Sequence, residues 1–192
     1  MRRPLPPVAP PAPVRPALAG AGLALLALAG AAAAHPHHDT DQQVQLSLGP
    51  NGAVMTAMIV PGTADGAAIL AHLDADGSGA VSGAEAEAFG AALLADAALT
   101  VDGERVPLRA AGVSMLSPEE VRGGTGALAV RAEARFPLGE APRTVGFTIA
   151  HDALAPGWFV QTFHDQSLVA AVGQPVLERP EDGAVLVRVP GP

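Results

Sequence analysis

The sequence predicts an α+β protein: an antiparallel β-sandwich with a helix-loop-helix inserted between its second and third strands. Three observations carry this. Short segments of alternating apolar and polar residues recur between residues 43 and 190, each bounded by Gly, Pro or Asp. After the second of them comes an alanine-rich stretch whose apolar residues fall at helical spacing. Setting aside 34 leading residues from the 192 leaves 158, which suits one domain with a core of its own.

The leading residues read as an address. Arg2, Arg3 and Arg15 precede an uncharged run over 17–34 that ends in Ala32-Ala33-Ala34, the small residues a signal peptidase requires. Residues 1–34 are therefore expected to be a secretory signal, and the mature protein extracytoplasmic, either periplasmic or secreted. The run is too rich in alanine and glycine for a strong anchor, so no stable membrane anchor is expected after its removal. Arg2-Arg3 leaves both general and twin-arginine export open. Residues 35–42 read as a flexible, His-rich mature N-terminus, with a single β-rich domain over 43–190.

Charge narrows the partners. The signal holds three of the eleven arginines and none of the nineteen acids, so the mature charge is 8 minus 19, or −11, and the chain has no lysine. Such a surface argues against nucleic acid and anionic lipid as partners and concentrates cations. With no cysteine, an exported chain relies on packing, helped by any ion it binds.

The elements follow in order. Val44, Leu46 and Leu48 alternate with Gln43, Gln45 and Ser47, and Pro50-Asn51-Gly52 turns the chain into a second strand over 53–60. Thr63 or Asp65 can cap a short helix carrying Ile69, Leu70 and Leu73. A second helix over 83–97 places Phe89 and Leu93 four apart, a stripe that the β-rich remainder is expected to cover. Residues 99–108 form a hairpin around Asp102-Gly103, and Ser117-Pro118-Glu119-Glu120 starts a capped helical turn. Strands are expected over 128–136, 143–150, 158–164, 167–172 and 183–189.

Between the two inserted helices lies Asp74-Ala-Asp-Gly-Ser-Gly-Ala-Val-Ser-Gly-Ala-Glu85. Counting Asp74 as position 1, oxygen-bearing side chains fall at positions 1, 3, 5, 9 and 12, and Gly79 takes position 6, where the chain must turn with positive φ. Ser82-Gly-Ala-Glu85 alone is also a capping box that would start a helix without any metal. Carboxylates at positions 1, 3 and 12 together with glycine at 6 exceed what a plain turn needs.

This stretch resembles an EF-hand, over residues 64–98. The resemblance implies a calcium ion held by side-chain oxygens of Asp74, Asp76 and Ser78, the Ala80 carbonyl, a water on Ser82 and a bidentate Glu85, with Val81 apolar as the family pattern has it. Ser78 stands where Asp or Asn is commoner, so binding in the range of about 10⁻⁴ to 10⁻³ M is expected, suited to an extracytoplasmic calcium level. A weaker resemblance spans about residues 34–110. Ala34-His35-Pro36, two strands, Leu73-Asp-Ala-Asp-Gly77 and Leu99-Thr-Val-Asp-Gly-Glu-Arg-Val-Pro-Leu108 look like the extracytoplasmic N-terminal domain of some bacterial nickel/cobalt-exporter-like proteins, which would imply work beside a membrane metal transporter.

The expected function is thus calcium binding by one loop, mainly structural and without catalysis. The alternative is an accessory that binds nickel, cobalt or copper through His35, His37 and His38 for a metal transporter; Pro36 excludes only the square-planar amino-terminal motif, having no backbone N–H. His151-Asp152 and His164-Asp165, with Ser167 nearby, hold the residue types of a hydrolase, but no Gly-x-Ser-x-Gly elbow accompanies them. Trp158 is expected in the core.

Overall fold

The computed structural model describes residues 39–181 and 183–192. Among them are four helices and two five-stranded sheets, a sandwich-like α+β arrangement. The first two strands set the pattern. β1 (Asp41–Gly49) and β2 (Gly52–Val60) pair antiparallel in full register, and every second residue of each is buried. Because successive side chains point to opposite faces, Val44, Leu46 and Leu48 share the core side with Met55, Ala57 and Ile59.

After β2 the chain forms α1 (Gly66–Leu73) and α2 (Gly83–Ala95), then β3 (Ala97–Val101), β4 (Glu104–Val106), β5 (Arg109–Ser114), α3 (Pro118–Gly123), β6 (Leu128–Arg135) and β7 (Arg143–Ile149). It ends with β8 (Phe159–His164), α4 (Gln166–Val172), β9 (Val176–Glu178) and β10 (Ala184–Val189). One sheet has the order β5-β6-β2-β1-β8 and the other β4-β3-β7-β10-β9. The helix-loop-helix therefore lies between the second and third strands in sequence, and Phe89 and Leu93 of α2 join the core beneath the β-rich remainder.

Several expectations are corrected. Residues 167–172 are helix, not strand: Asp165 caps it through Ser167 N–H, and the buried pair Leu168 and Val172 repeats every four residues rather than every two. The sandwich is not wholly antiparallel, since β8 runs parallel to β1. The 150–158 connection brings the chain to the free edge of β1 in that direction, held by Gln42 Nε2, which donates to the carbonyls of Ala155 (2.6 Å) and Gly157 (3.0 Å). That bond makes Gln42 part of the fold, and the first strand starts at Asp41, two residues before the expected boundary. The second helix stops at Ala95, two residues early, because Asp96 takes the cap and the chain pairs with β7 from Ala97. Pro107, which has no N–H, shortens the 104–108 strand to β4. Strands β5 and β9 were not expected at all.

The Asp102-Gly103 turn forms as expected, with both residues at positive φ (53° and 85°), the pairing a two-residue hairpin needs. The Ser117 capping box with proline at the helix start is also present. Trp158 is core: only 5% exposed, with its indole N–H donating to the His151 carbonyl at 2.6 Å.

Candidate metal centre

The loop from Asp74 to Glu85 is carried by two helices anchored separately. Asp65 occupies the N-cap position of α1, yet its side chain makes no capping bond; Oδ2 instead accepts from Thr40 N–H (3.2 Å) and Oγ1 (2.9 Å), tying the helix start to the approach of β1. Gly66 packs so closely on α3 that an added Cβ would fall well inside 3.0 Å of the Val121 carbonyl oxygen. On the other side, a Cβ on Gly90 of α2 would lie 2.6 Å from Val113 Cγ2 of β5. At its far end the α2 C-cap Asp96 accepts through Oδ2 from His151 Nδ1–H at 2.8 Å, and the ring meets Phe89 edge-on at 5.8 Å. The imidazole is nearly buried while the Asp96 side chain is 51% exposed, so the pair positions the helix end more by packing than by charge.

Within the loop, carboxylates meet. One oxygen from each of Asp74, Asp76 and Glu85 lies within 4.8 Å of the other two. Backbone amides hold them there. Asp74 Oδ1 accepts from Ser78 N–H (2.9 Å) and Oδ2 from Gly79 N–H (2.7 Å), while Asp76 Oδ1 accepts from Ser78 N–H (2.9 Å). These turns require Gly77 and Gly79 at φ 69° and 89°, a region where a Cβ crowds the following carbonyl. The Gly79 turn is the one the spacing demands; Gly77 was missed, although an Asp-Gly pair is itself a turn signal.

The remaining donors converge on the same place. Ser78 Oγ lies 3.3 Å from Asp74 Oδ1 and 3.0 Å from the Ala80 carbonyl oxygen, to which it donates. Ser82 is the N-cap of α2, and its capping box with Glu85 is complete. Glu85 Oε2 accepts from Ser82 N–H and Oγ, both at 2.8 Å, and Oε1 accepts from Asp76 N–H at 3.1 Å. The helix-start reading and the ligand reading thus use one side chain: the bond to Asp76 pulls the position-12 carboxylate across to the position-3 residue, which a capping box alone does not require.

Hydrogen bonds also set the charge. Asp76 is held below its ordinary value of 3.8 chiefly by the Ser78 amide and then its hydroxyl. Glu85 is held below 4.5 by the Ser82 amide first, then the Ser82 hydroxyl and the Asp76 amide, against repulsion from Asp76. Both stay ionised at neutral pH. The donor set is all oxygen and contains no imidazole, and His72 on α1 is exposed, so the chemistry fits a hard cation. Val81, at loop position 8, packs against the core.

His35, His37 and His38 lie outside the described residues, as does the 1–34 segment. The other histidines do not assemble the hydrolase arrangement weighed from sequence. His151 pairs with Asp96 rather than Asp152, His164 Nδ1 meets Gln174 (3.3 Å), and the Ser167 hydroxyl donates to Asp165 at 2.5 Å. No helix among the described residues is long and apolar enough to cross a membrane. The sequence matches no protein-family model and no curated protein.

Proposed function

We propose that this chain is an extracytoplasmic calcium-binding protein in which one EF-hand-like loop holds Ca²⁺ as a structural brace, without catalysis. The observation that carries this is the convergence of the Asp74, Asp76 and Glu85 oxygens within 4.8 Å at a loop turned by Gly77 and Gly79. Carboxylates gathered at that range repel one another, as Asp76 and Glu85 do, and a divalent cation relieves the repulsion. Asp74, Asp76, Ser78, Ala80 and Glu85 would hold the ion, with Ser82 acting through the helix cap and a water.

The anchoring of the helices supports a brace over a switch. A sensor swings its second helix on binding; here Gly66 packs closely against the Val121 carbonyl of α3 and Gly90 against Val113 of β5, contacts that a swing of either helix would break. Calcium then tightens a loop between two fixed ends, and the acidic chain raises local cation concentration.

Isothermal titration with CaCl₂ tests the reading. The wild-type protein is expected to take up one ion per chain, with Kd of about 10⁻⁴ to 10⁻³ M, and Asp76→Asn at least about tenfold more weakly. Equal titration curves for the two proteins would remove the assignment.

A further inference from the structure

We propose that the outer face of the β5-β6-β2-β1-β8 sheet is the interface of a symmetric dimer, its occupant a second copy of this chain. Among the described residues no helix packs on this face, and its side chains are exposed or half-buried, in contrast to the buried rows on the reverse side of β1, β2 and β6. On β8, β1 and β2 it carries no charge between Phe159 and Phe163, Gln43 and Ser47, or Val54 and Met58, in a chain with nineteen acids. Such a molecule repels its own copies over most of its surface, and this uncharged area is where they can approach.

The two ends of the face are complementary. At the β8 edge stand Phe159 and Phe163, 54% and 47% exposed, two of the three large apolar side chains that the described residues leave open. At the β5 and β6 edge stand Arg109, Arg131 and Arg135 around a single carboxylate, Glu133, which sits directly opposite Arg109 and bonds Arg131 at 3.2 Å. Arg109 and Arg135 have no ion-pair or hydrogen-bond partner among the described residues, although acids outnumber arginines more than two to one beyond residue 38.

A two-fold axis parallel to the strands and passing over β2 superposes these ends. The registers place Phe163, Ser47, Val54, Glu133 and Arg109 in one row across the sheet. Rotation about that axis lays Arg109 over the Phe163 ring of the copy, and Val54 over its own equivalent. One row further, Arg135 pairs with Gly52, and Gly49 abuts Asp165, so Arg135 comes over an acid of the copy. A guanidinium on a phenylalanine already occurs within the chain, where Arg179 lies 5.1 Å from the Phe159 centroid. Twist offsets the facing strands by about 30° without disturbing the central rows.

The area is sufficient. Five strands about 4.8 Å apart and about 25 Å long present about 600 Å² per copy. The total of about 1,200 Å² is the lower end of stable interfaces, which points to micromolar or weaker affinity.

Sedimentation equilibrium of the purified protein tests this. Wild type is expected to dimerise, and Thr56→Glu, next to the axis, to weaken dimerisation by about 100-fold or more, since it sets like charges against each other. Phe163→Gln, at the edge, gives the same direction without a charge in the central strand. Because the chain has no cysteine, Thr56→Cys offers a separate readout: a short bismaleimide should link it into dimers, and an Ala88→Cys control on exposed α2 should not link. A chain that stays monomeric to about 10⁻³ M overturns the proposal, whether its own residues 35–38 or another protein covers the face. So does a dimer that both Thr56→Glu and Phe163→Gln leave intact, or one linked equally through position 88.

Discussion

Glu85 and Ser82 share three hydrogen bonds, and substituting each in turn separates the ion from the helix cap. Glu85→Gln keeps an amide oxygen that can accept from Ser82 N–H and removes the charge a cation needs; Ser82→Ala removes the cap but leaves all three carboxylates. At about 1 mM calcium and a Kd near 10⁻⁴ M, mass action adds about 1.4 kcal/mol to folding. For a domain of this size that raises Tm by about 3–6 °C. Loss of the Ser82 cap costs about 1 kcal/mol, with or without the ion. Thermal unfolding by circular dichroism, in EDTA and in 1 mM calcium, should therefore give a double dissociation. Wild type and Ser82→Ala both gain the calcium increment, from different starting points, and Glu85→Gln starts near wild type and gains nothing. An unchanged increment in Glu85→Gln would refute the ligand role; an increment lost in Ser82→Ala would show the loop to be only a helix start.

Three further outcomes are expected. Gly66→Ala forces α1 away from the Val121 carbonyl and should cost about 1–3 kcal/mol, read as a lower urea midpoint at unchanged slope. His151→Ala loses the Asp96 bond and the edge contact with Phe89 and should cost about 2 kcal/mol, also by urea; Asp96→Asn, which keeps a hydrogen-bond acceptor, should cost much less. Calcium affinity should be flat with pH until the carboxylates protonate. Asp76 and Glu85 have folded values below 3.8 and 4.5, so what their ionised forms contribute is fully present above those values and is lost as pH falls further below them. A titration series showing affinity lost near pH 6 would instead indicate histidine ligands.

The parts of this molecule that were legible in its sequence are those whose cause is local. Strict alternation set β1, the turn at Pro50-Asn51-Gly52 set β2 as its hairpin partner, an Asp-Gly pair set the β3–β4 turn, and the spacing from Asp74 to Glu85 set the loop, because each is decided within a few residues. What escaped was decided from a distance. The 167–172 segment is apolar enough for either element, and a cap three residues before Leu168 tips it to helix. Arg109–Ser114 has no alternation to read, since an edge strand with a bulge at Ala111 buries little; it is strand because β6 offers it partners. The parallel run of β8 beside β1 depends on Gln42 reaching residues more than a hundred positions away. The same division applies to the loop. Its carboxylate spacing is written in twelve residues, but the seating of its two flanking helices comes from Gly66 against α3, Gly90 against β5 and Asp96 against His151, none of which any motif records. Those distant contacts decide whether an ion would brace the fold or move it, so the choice between brace and switch rests on tertiary packing even where the choice of ligand does not.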